Sequence, residues 1–349
     1  MAEYEIFQVE ARSGNVIASL PFTGLSYGEA LNAAGSCTVG IPLDAADPET
    51  LAPGRSGIVV VRDGEPDWGG LLWTAQADLA AGALTLNSAG WHSYYAGRVL
   101  EDGYKTRGSD QAFMLRRWLD TCNEDGGIDT DTSAITSAGK QRVRNWTKYE
   151  FKVVADAIAE LADESGGFHF RYETYWRNKK RTRVGNRFYR FALNEFALPF
   201  TLTHRGNCDV TQVSYDAAAM VTHAYAVGAD AGNGKKLVGT ATNSIEMPKK
   251  QVVTTFSDVK KTSTLTDKAR AIAEAGRSPV AIPALNLYPG VFRPADFIVG
   301  TAGFVKVDAG YVRVNGEYVL TERKTDVDEN GTEVTALSLA NREVFISGD

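Results

Sequence analysis

The stretch "SGIVVVRDGEPDWGGLLW", residues 56–73, places two strand-like apolar runs on either side of Asp63-Gly64. An Asp-Gly pair supplies the positive φ values of a two-residue hairpin turn, so the stretch predicts two antiparallel strands. The same reading extends outward. Towards the N-terminus, "YEIFQVEARSGNVIASL" alternates apolar and polar residues around Ser13-Gly14-Asn15, and on the other side "DLAAGALTLNSAG" adds a third pair. Closely spaced hairpins of this kind favour a small antiparallel barrel or sandwich.

Beyond residue 100 the period changes. "GSDQAFMLRRWLDTCNEDGG" predicts a helix with Ser109 as N-cap, Phe113, Met114, Trp118 and Cys122 on its apolar stripe, and Gly126-Gly127 as its stop. A second helix is expected from Thr147, which forms a T-x-x-E capping box with Glu150, through Phe151, Val154, Ile158 and Leu161 to Gly166-Gly167. "FHFRYETYW" and "RFYRFAL" then alternate with period two across "RNKKRTRVGN", a β-hairpin with a basic tip. Strands resume in "FTLTHRGNCDVTQVSYDAAAMVTHAYAVG", the polar residues 228–261 read as an exposed loop, and "TDKARAIAEAG" predicts a helix over 266–276 with Thr266 as N-cap and Gly276 as C-cap. Two closing hairpins are expected to turn at Asn315-Gly316 and Asn330-Gly331. The expected organisation is mainly β with an α+β insertion: residues 1–100, an inserted unit 101–195, and residues 196–349.

At 349 residues the chain has room for two or three units of roughly 100–200 residues each. Hydrophobic residues at 44% and charged residues at 23% are ordinary globular usage, and no apolar run of about 18 residues exists to span a bilayer. No membrane insertion by this chain is expected. The acidic start, Met-Ala-Glu-Tyr-Glu-Ile, lacks the basic and apolar regions of a secretory signal, so export by that route is not expected either. Cys37, Cys122 and Cys208 are far apart and read as reduced thiols, and His92, His169, His204 and His223 show no metal-binding spacing. Neither a metal nor a cofactor is expected.

Charge is distributed unevenly. Residues 1–100 hold 4 Arg and no Lys against 11 Asp and Glu, whereas residues 138–192 hold 13 Lys and Arg against 6 acids. These are either solvated faces or surfaces that meet across subunits or face different partners.

Three motifs invite a chemical reading. "GWHSYYAGRV", residues 90–99, brings His92, Tyr94, Tyr95 and Arg98 together, a set able to act as base, proton donor and anion clamp; its other reading is a packed aromatic junction. "DVDENG" places Asp326, Asp328, Asn330 and Gly331 at calcium-loop positions, but Leu337 stands where a bidentate Glu is needed, which favours a hairpin turn. The basic hairpin offers Arg177, Lys179, Lys180, Arg181, Arg183 and Arg187 as a candidate contact surface for nucleic acid, but a solvated or subunit-contacting loop is the favoured reading. No GxSxG elbow, Walker A loop or GxGxxG turn accompanies them.

The order of segments carries a resemblance. "LTLNSAGWHSYYAGRVL" leads into a helical insertion, then "WTKYEFKVVADAIAELADESGGFHF", then "LTHRGNCDVTQVSYDAAAMVTHAYAVG", and after a short Ala-rich helix "GEYVLTERKTDVDENGTEVTALSL". Over about residues 1–345 this resembles the tail hub proteins of long-tailed bacteriophages, also called minor tail or baseplate hub proteins, particularly those of phages infecting actinobacteria. The resemblance implies two tail-tube-like β-barrel domains, residues 1–100 and 196–349, in a homotrimer whose six barrels form a ring. It implies a structural virion protein, made in the host cytoplasm, that joins the tail tube and distal tail protein to the tip or receptor-binding proteins. The phage DNA would pass transiently through its channel, and the acidic residues 1–100 would then face that polyanion. Where many such hubs carry a C-terminal peptidase, lysozyme or fibre-attachment region, this chain stops at Asp349, so no enzymatic activity is expected of it. A cell-wall-degrading tail-tip enzyme, a carbohydrate-binding adhesion module and a hexameric distal tail protein are the alternatives.

Overall fold

The computed structural model describes residues 2–341, apart from 165–166, 192–196, 219, 233, 257–258, 278–279, 289–290 and 294–295. The opening hairpin forms as its turn chemistry requires. Asp63 and Gly64 have φ of 51° and 83°, and Arg62 pairs with Glu65 across the two-residue turn. The first seven strands are β1 (Tyr4–Glu10), β2 (Val16–Leu20), β3 (Gly24–Ala30), β4 (Ser36–Pro42), β5 (Ser56–Arg62), β6 (Glu65–Asp78) and β7 (Ala83–Gly90). The run Ile58-Val59-Val60-Val61 on β5 is buried on both sides. Ile58 and Val60 join a core with Ile6, Tyr27, Val39, Trp68 and Leu86, while Val59 and Val61 pack outward against Val9, Leu71, Trp91 and Val184. A strand covered on both faces needs apolar residues at every position, which is why this one breaks strict alternation.

The outer layer is the inserted unit: β8 (Tyr104–Asp110), α1 (Gln111–Glu124), β9 (Gln141–Trp146), α2 (Val154–Asp163), β10 (His169–Trp176) and β11 (Val184–Phe191). Its core packs Leu115, Trp118 and Leu119 of α1 and Ile158 and Leu161 of α2 against Phe170 and Phe188 of the hairpin. Two helix starts differ from expectation. Asp110, not Ser109, caps α1: its carboxylate accepts from the Ala112 N–H at 2.8 Å and also holds the Gly139 N–H. The Thr147–Glu150 capping box forms, yet it closes only a short 3-10 turn. Phe151 is left-handed at φ 44°, and residues 152–154 pair with 98–100 through the Leu100 N–H to Lys152 and Val154 N–H to Arg98 bonds. That extended pairing delays α2 to Val154. Phe113 faces solvent, and Gly166 lies outside the described residues.

The remaining elements are β12 (Ala197–Thr203), β13 (Cys208–Asp216), β14 (His223–Gly232), β15 (Lys235–Thr242), β16 (Gln251–Thr255), α3 (Thr262–Ala275), β17 (Val280–Leu287), β18 (Ala302–Ala309), β19 (Val312–Val327) and β20 (Glu333–Asn341). The expected loop at 228–261 is largely a three-stranded sheet, β15-β14-β16, covered by α3. Ala224 and Ala226 of β14 pack against Leu265, Ala269 and Ala273 of α3, while β15 and β16 are short and rich in Lys, Thr and Gln, so they carry little apolar signal. The helix begins at Thr262, four residues before Thr266. Asn315-Gly316 is not a turn: Gly316 pairs with Val305 and Asn315 with Lys306, and the chain reverses instead at Gly310, φ 63°. Asn330-Gly331 does turn, with Gly331 at φ 76°.

Thirteen strands form one sheet. Its path is β13-β17-β20-β19-β3-β4-β7-β6-β5-β1-β2, with β18 also on β19 and β12 on β18. The mainly β fold is as expected; where two tail-tube-like β-barrel domains were expected, the hydrogen-bond ladder among the described residues is one open path that joins both β-rich parts. The join is β19. Residues 312–319 pair with β18, the register shifts between Leu320 and Glu322, and residues 322–327 pair with β3. A bulge lets one strand change partners without losing its ladder.

Candidate functional site

"GWHSYYAGRV" is a wall between layers. Residues Trp91–Gly97 form a 3-10 turn at the end of β7, and the residue before it must be glycine: a Cβ at Gly90 would stand 1.7 Å from the Ala34 carbonyl. Trp91 Nε1 donates to Thr174 Oγ1 at 2.9 Å, Tyr95 Oη donates to Thr130 Oγ1 at 2.7 Å, and Arg98 donates to Tyr94 Oη at 2.7 Å and to the Asp125 carboxylate. His92 lies 4.8 Å from the Phe170 ring and 5.8 Å from the Tyr172 ring. Burial pulls its imidazole down to about 4, so it is neutral at pH 7. The adjoining cavity, lined by Glu29, Trp68, Trp91, Arg171, Tyr172 and Thr174, is about 20 Å³. That is the room of about one water molecule and not of a substrate.

The six basic hairpin residues divide into two sets. Arg177 meets the Asp129 carboxylate at 2.7 Å and Arg183 reaches it at 3.4 Å; Arg187 meets Asp131 at 2.7 Å and Glu173 at 3.1 Å; Arg181 lies 3.6 Å from Glu65. Burial would raise the Asp131 carboxyl, but hydrogen bonds from Ser133 and Arg187 outweigh it and hold it at about 2. These four arginines bind the hairpin to its own chain. Lys179 and Lys180 are exposed at the tip and form no ion pair among the described residues.

The turn at "DVDENG" is held by its own backbone. Asp328 Oδ1 accepts from the Asn330 N–H at 2.9 Å and the Thr332 N–H at 2.8 Å, which lowers its carboxyl and makes the segment a hairpin turn between β19 and β20. Among the described residues no three His, Cys, Asp or Glu side chains converge as a metal site. Burial pushes the Cys37 thiol up strongly, and those of Cys122 and Cys208 up to about 11. No described helix is long and apolar enough to cross a membrane.

A polar cluster that sequence spacing does not reveal ties β19 to the first strands. Arg323, 3% exposed, meets Asp67 Oδ1 at 3.0 Å and Glu29 Oε2 at 3.5 Å, and Tyr27 Oη donates to Asp67 Oδ2 at 2.6 Å. Burial raises the Glu29 carboxyl, an effect that Arg323 opposes. At the other end of the shared strands, Glu333 accepts from Arg62 at 2.9 and 3.0 Å and from Tyr4 Oη at 2.6 Å. The partners of Arg323 and Glu333 lie 256 to 329 positions from them, so only the pairing of β3 with β19 could have announced them.

No protein-family model and no curated protein sequence matches the chain. Solved structures do. A tail protein from Neisseria meningitidis MC58 aligns with TM-score 0.63 and 13% identity over 98% of each chain. The 43 kDa tail protein of prophage MuSo2 from Shewanella oneidensis aligns at 0.60 and 11% identity over 98% of this chain and 99% of that one. Prophage tail protein gp18 from Listeria monocytogenes EGD-e aligns at 0.58 and 11% identity over 97% and 95%. At such identities the likeness is one of fold, and it runs the length of the chain.

Proposed function

We propose that this chain is a structural component of a phage tail, assembling as a homotrimer into the hub at the distal end. The observation that carries the reading is architectural: two β-rich parts share one sheet through β19, each with its own helical insertion, and this whole arrangement aligns with three tail proteins. In this reading the hub joins the tail tube and distal tail protein to the tip or receptor-binding proteins, in the virion, around a DNA exit channel. The chain performs no catalysis in this role: the strongest catalytic candidate, His92, is packed among aromatic rings beside a one-water cavity. The supporting structures come from Neisseria, Shewanella and Listeria, so the support does not extend to an actinobacterial host.

Imaging of the assembled particle, scored for rotational symmetry, tests the proposal. A threefold ring enclosing a central hole is the expected result. A sixfold ring would assign the chain to the distal tail protein instead, and a particle without a central hole would overturn the structural reading. Loss of turbidity when the chain meets host cell walls, or its binding to wall polysaccharide, would favour the enzyme or adhesion alternative.

A further inference from the structure

The end of β6 lies outside every core. Residues 73–82 are exposed throughout although the strand is continuous and paired with β7 to Asp78 opposite Ala83. Leu79 at the tip is 81% exposed and Trp73 at the base 44%. From Trp68 to Gly97 the only Asp, Glu, Lys or Arg is Asp78. The exposed arm, residues 73–82, carries one charge, Asp78, among Trp73, Leu79 and small residues, which is unlike a solvated surface and like the centre of an interface, where charge is depleted.

Its rim and its counterpart are both present on the chain. The Leu43 N–H donates to the Gly82 carbonyl at 2.9 Å, which fixes the segment carrying exposed Asp44, Asp47 and Glu49 beside the arm. None of these acids is ion-paired to a cation among the described residues. At the opposite end of β6, Arg181 reaches Glu65 and holds the tip with Lys179 and Lys180. Fourteen strand residues at about 3.3 Å each separate the two ends by roughly 40 Å. A chain with unpaired acids at one end of a strand and unpaired lysines at the other cannot pair them within itself, but a second copy can. We infer that the β6–β7 arm of one copy docks against the basic hairpin tip of the next, with Asp47 and Glu49 facing Lys179 and Lys180. Such a contact is heterologous, joining two different surfaces, the type that builds a ring when its rotation closes. It deepens the proposed function and rests on it.

Self-association of the full chain, followed by sedimentation at low and physiological salt, tests the contact. The variants are Lys179→Glu with Lys180→Glu, Asp47→Lys with Glu49→Lys, and all four together. Each pair alone is expected to weaken association by about ten-fold or more, because like charges then meet, and the combination to restore it. Leu79→Asp, which has no packing to lose, weakens association with an unchanged melting temperature. Restoration by the combination cannot arise from misfolding. Unchanged association in the reversed pairs, no rescue, or a chain that stays monomeric at every concentration overturns the contact. Particle symmetry separates this from the hub reading: a threefold ring insensitive to the reversals removes the contact alone.

Discussion

The Arg323 guanidinium lies 3.0 Å from the Asp67 carboxylate although the two residues are 256 positions apart, and both are almost fully buried. The pair joins the last long strand to the sixth, at the place where β19 leaves β18 for β3. Removing the cation strands two carboxylates in a dry setting. Arg323→Met is expected to cost about 3–5 kcal/mol, more than a side-chain deletion on the surface, and a urea melt of the variant measures it.

His92 makes stability depend on acidity in a defined direction. Its folded value is about 4 against the usual 6.5, so as pH falls below 6.5 the unfolded chain takes up the proton first. Stability from this group is constant above pH 6.5, declines through the interval to pH 4 and is then level, a loss of about 3 kcal/mol. The difference in melting temperature between wild type and His92→Gln, followed from pH 7.5 to 4, is expected to shrink along that interval.

Gly90 stands where chain and chain touch. A methyl group there would lie 1.7 Å from a backbone carbonyl that cannot rotate away. Gly90→Ala is expected to cost about 3 kcal/mol or more by forcing β7 from β6 and the Ala34 turn. Soluble yield and thermal melting give the answer; a fully stable variant would contradict the packing at this junction.

The basic hairpin should respond unevenly to alanine. Arg187 bridges Asp131 and Glu173 and lies 4.4 Å from the centre of the Tyr175 ring. Arg187→Ala is expected to lower stability by about 1 kcal/mol, after allowance for its partial exposure, and to speed amide exchange along β10 and β11. Lys179→Ala and Lys180→Ala are expected to stay within about 0.5 kcal/mol of wild type.

Local turn chemistry was the most legible part of this fold. Asp63-Gly64 and Asn330-Gly331 turn as their residues demand, whereas Asn315-Gly316 is drawn straight by pairing with Val305 and Lys306. The T-x-x-E box at Thr147 formed its hydrogen bonds and still did not start the helix, because residues 152–154 were claimed by strand 98–100. In both departures a strand-like backbone pairing, with the neighbouring β18 in one and with residues about fifty positions earlier in the other, overrode a local preference. In the sheet under α3 the start of β14 was legible, but β15 and β16 were not, because these short strands are rich in Lys, Thr and Gln and read as polar loop. Charge alone nominated the six basic hairpin residues, and only the fold separates four arginines held by internal carboxylates from two lysines that form no ion pair among the described residues.

The shared strand also imposes a timetable. Ala30 on β3 must wait for Glu322 on β19, almost the entire chain later, before that ladder can form. A ribosome adding about 5–20 residues per second leaves the N-terminal edge unfinished for roughly 15–60 s. During that interval β3 offers bare amides and carbonyls to any other nascent copy nearby. Translation products that stop short of β19 should therefore aggregate or swap strands, because the first part of the molecule is completed only once residues 322–327 have been made.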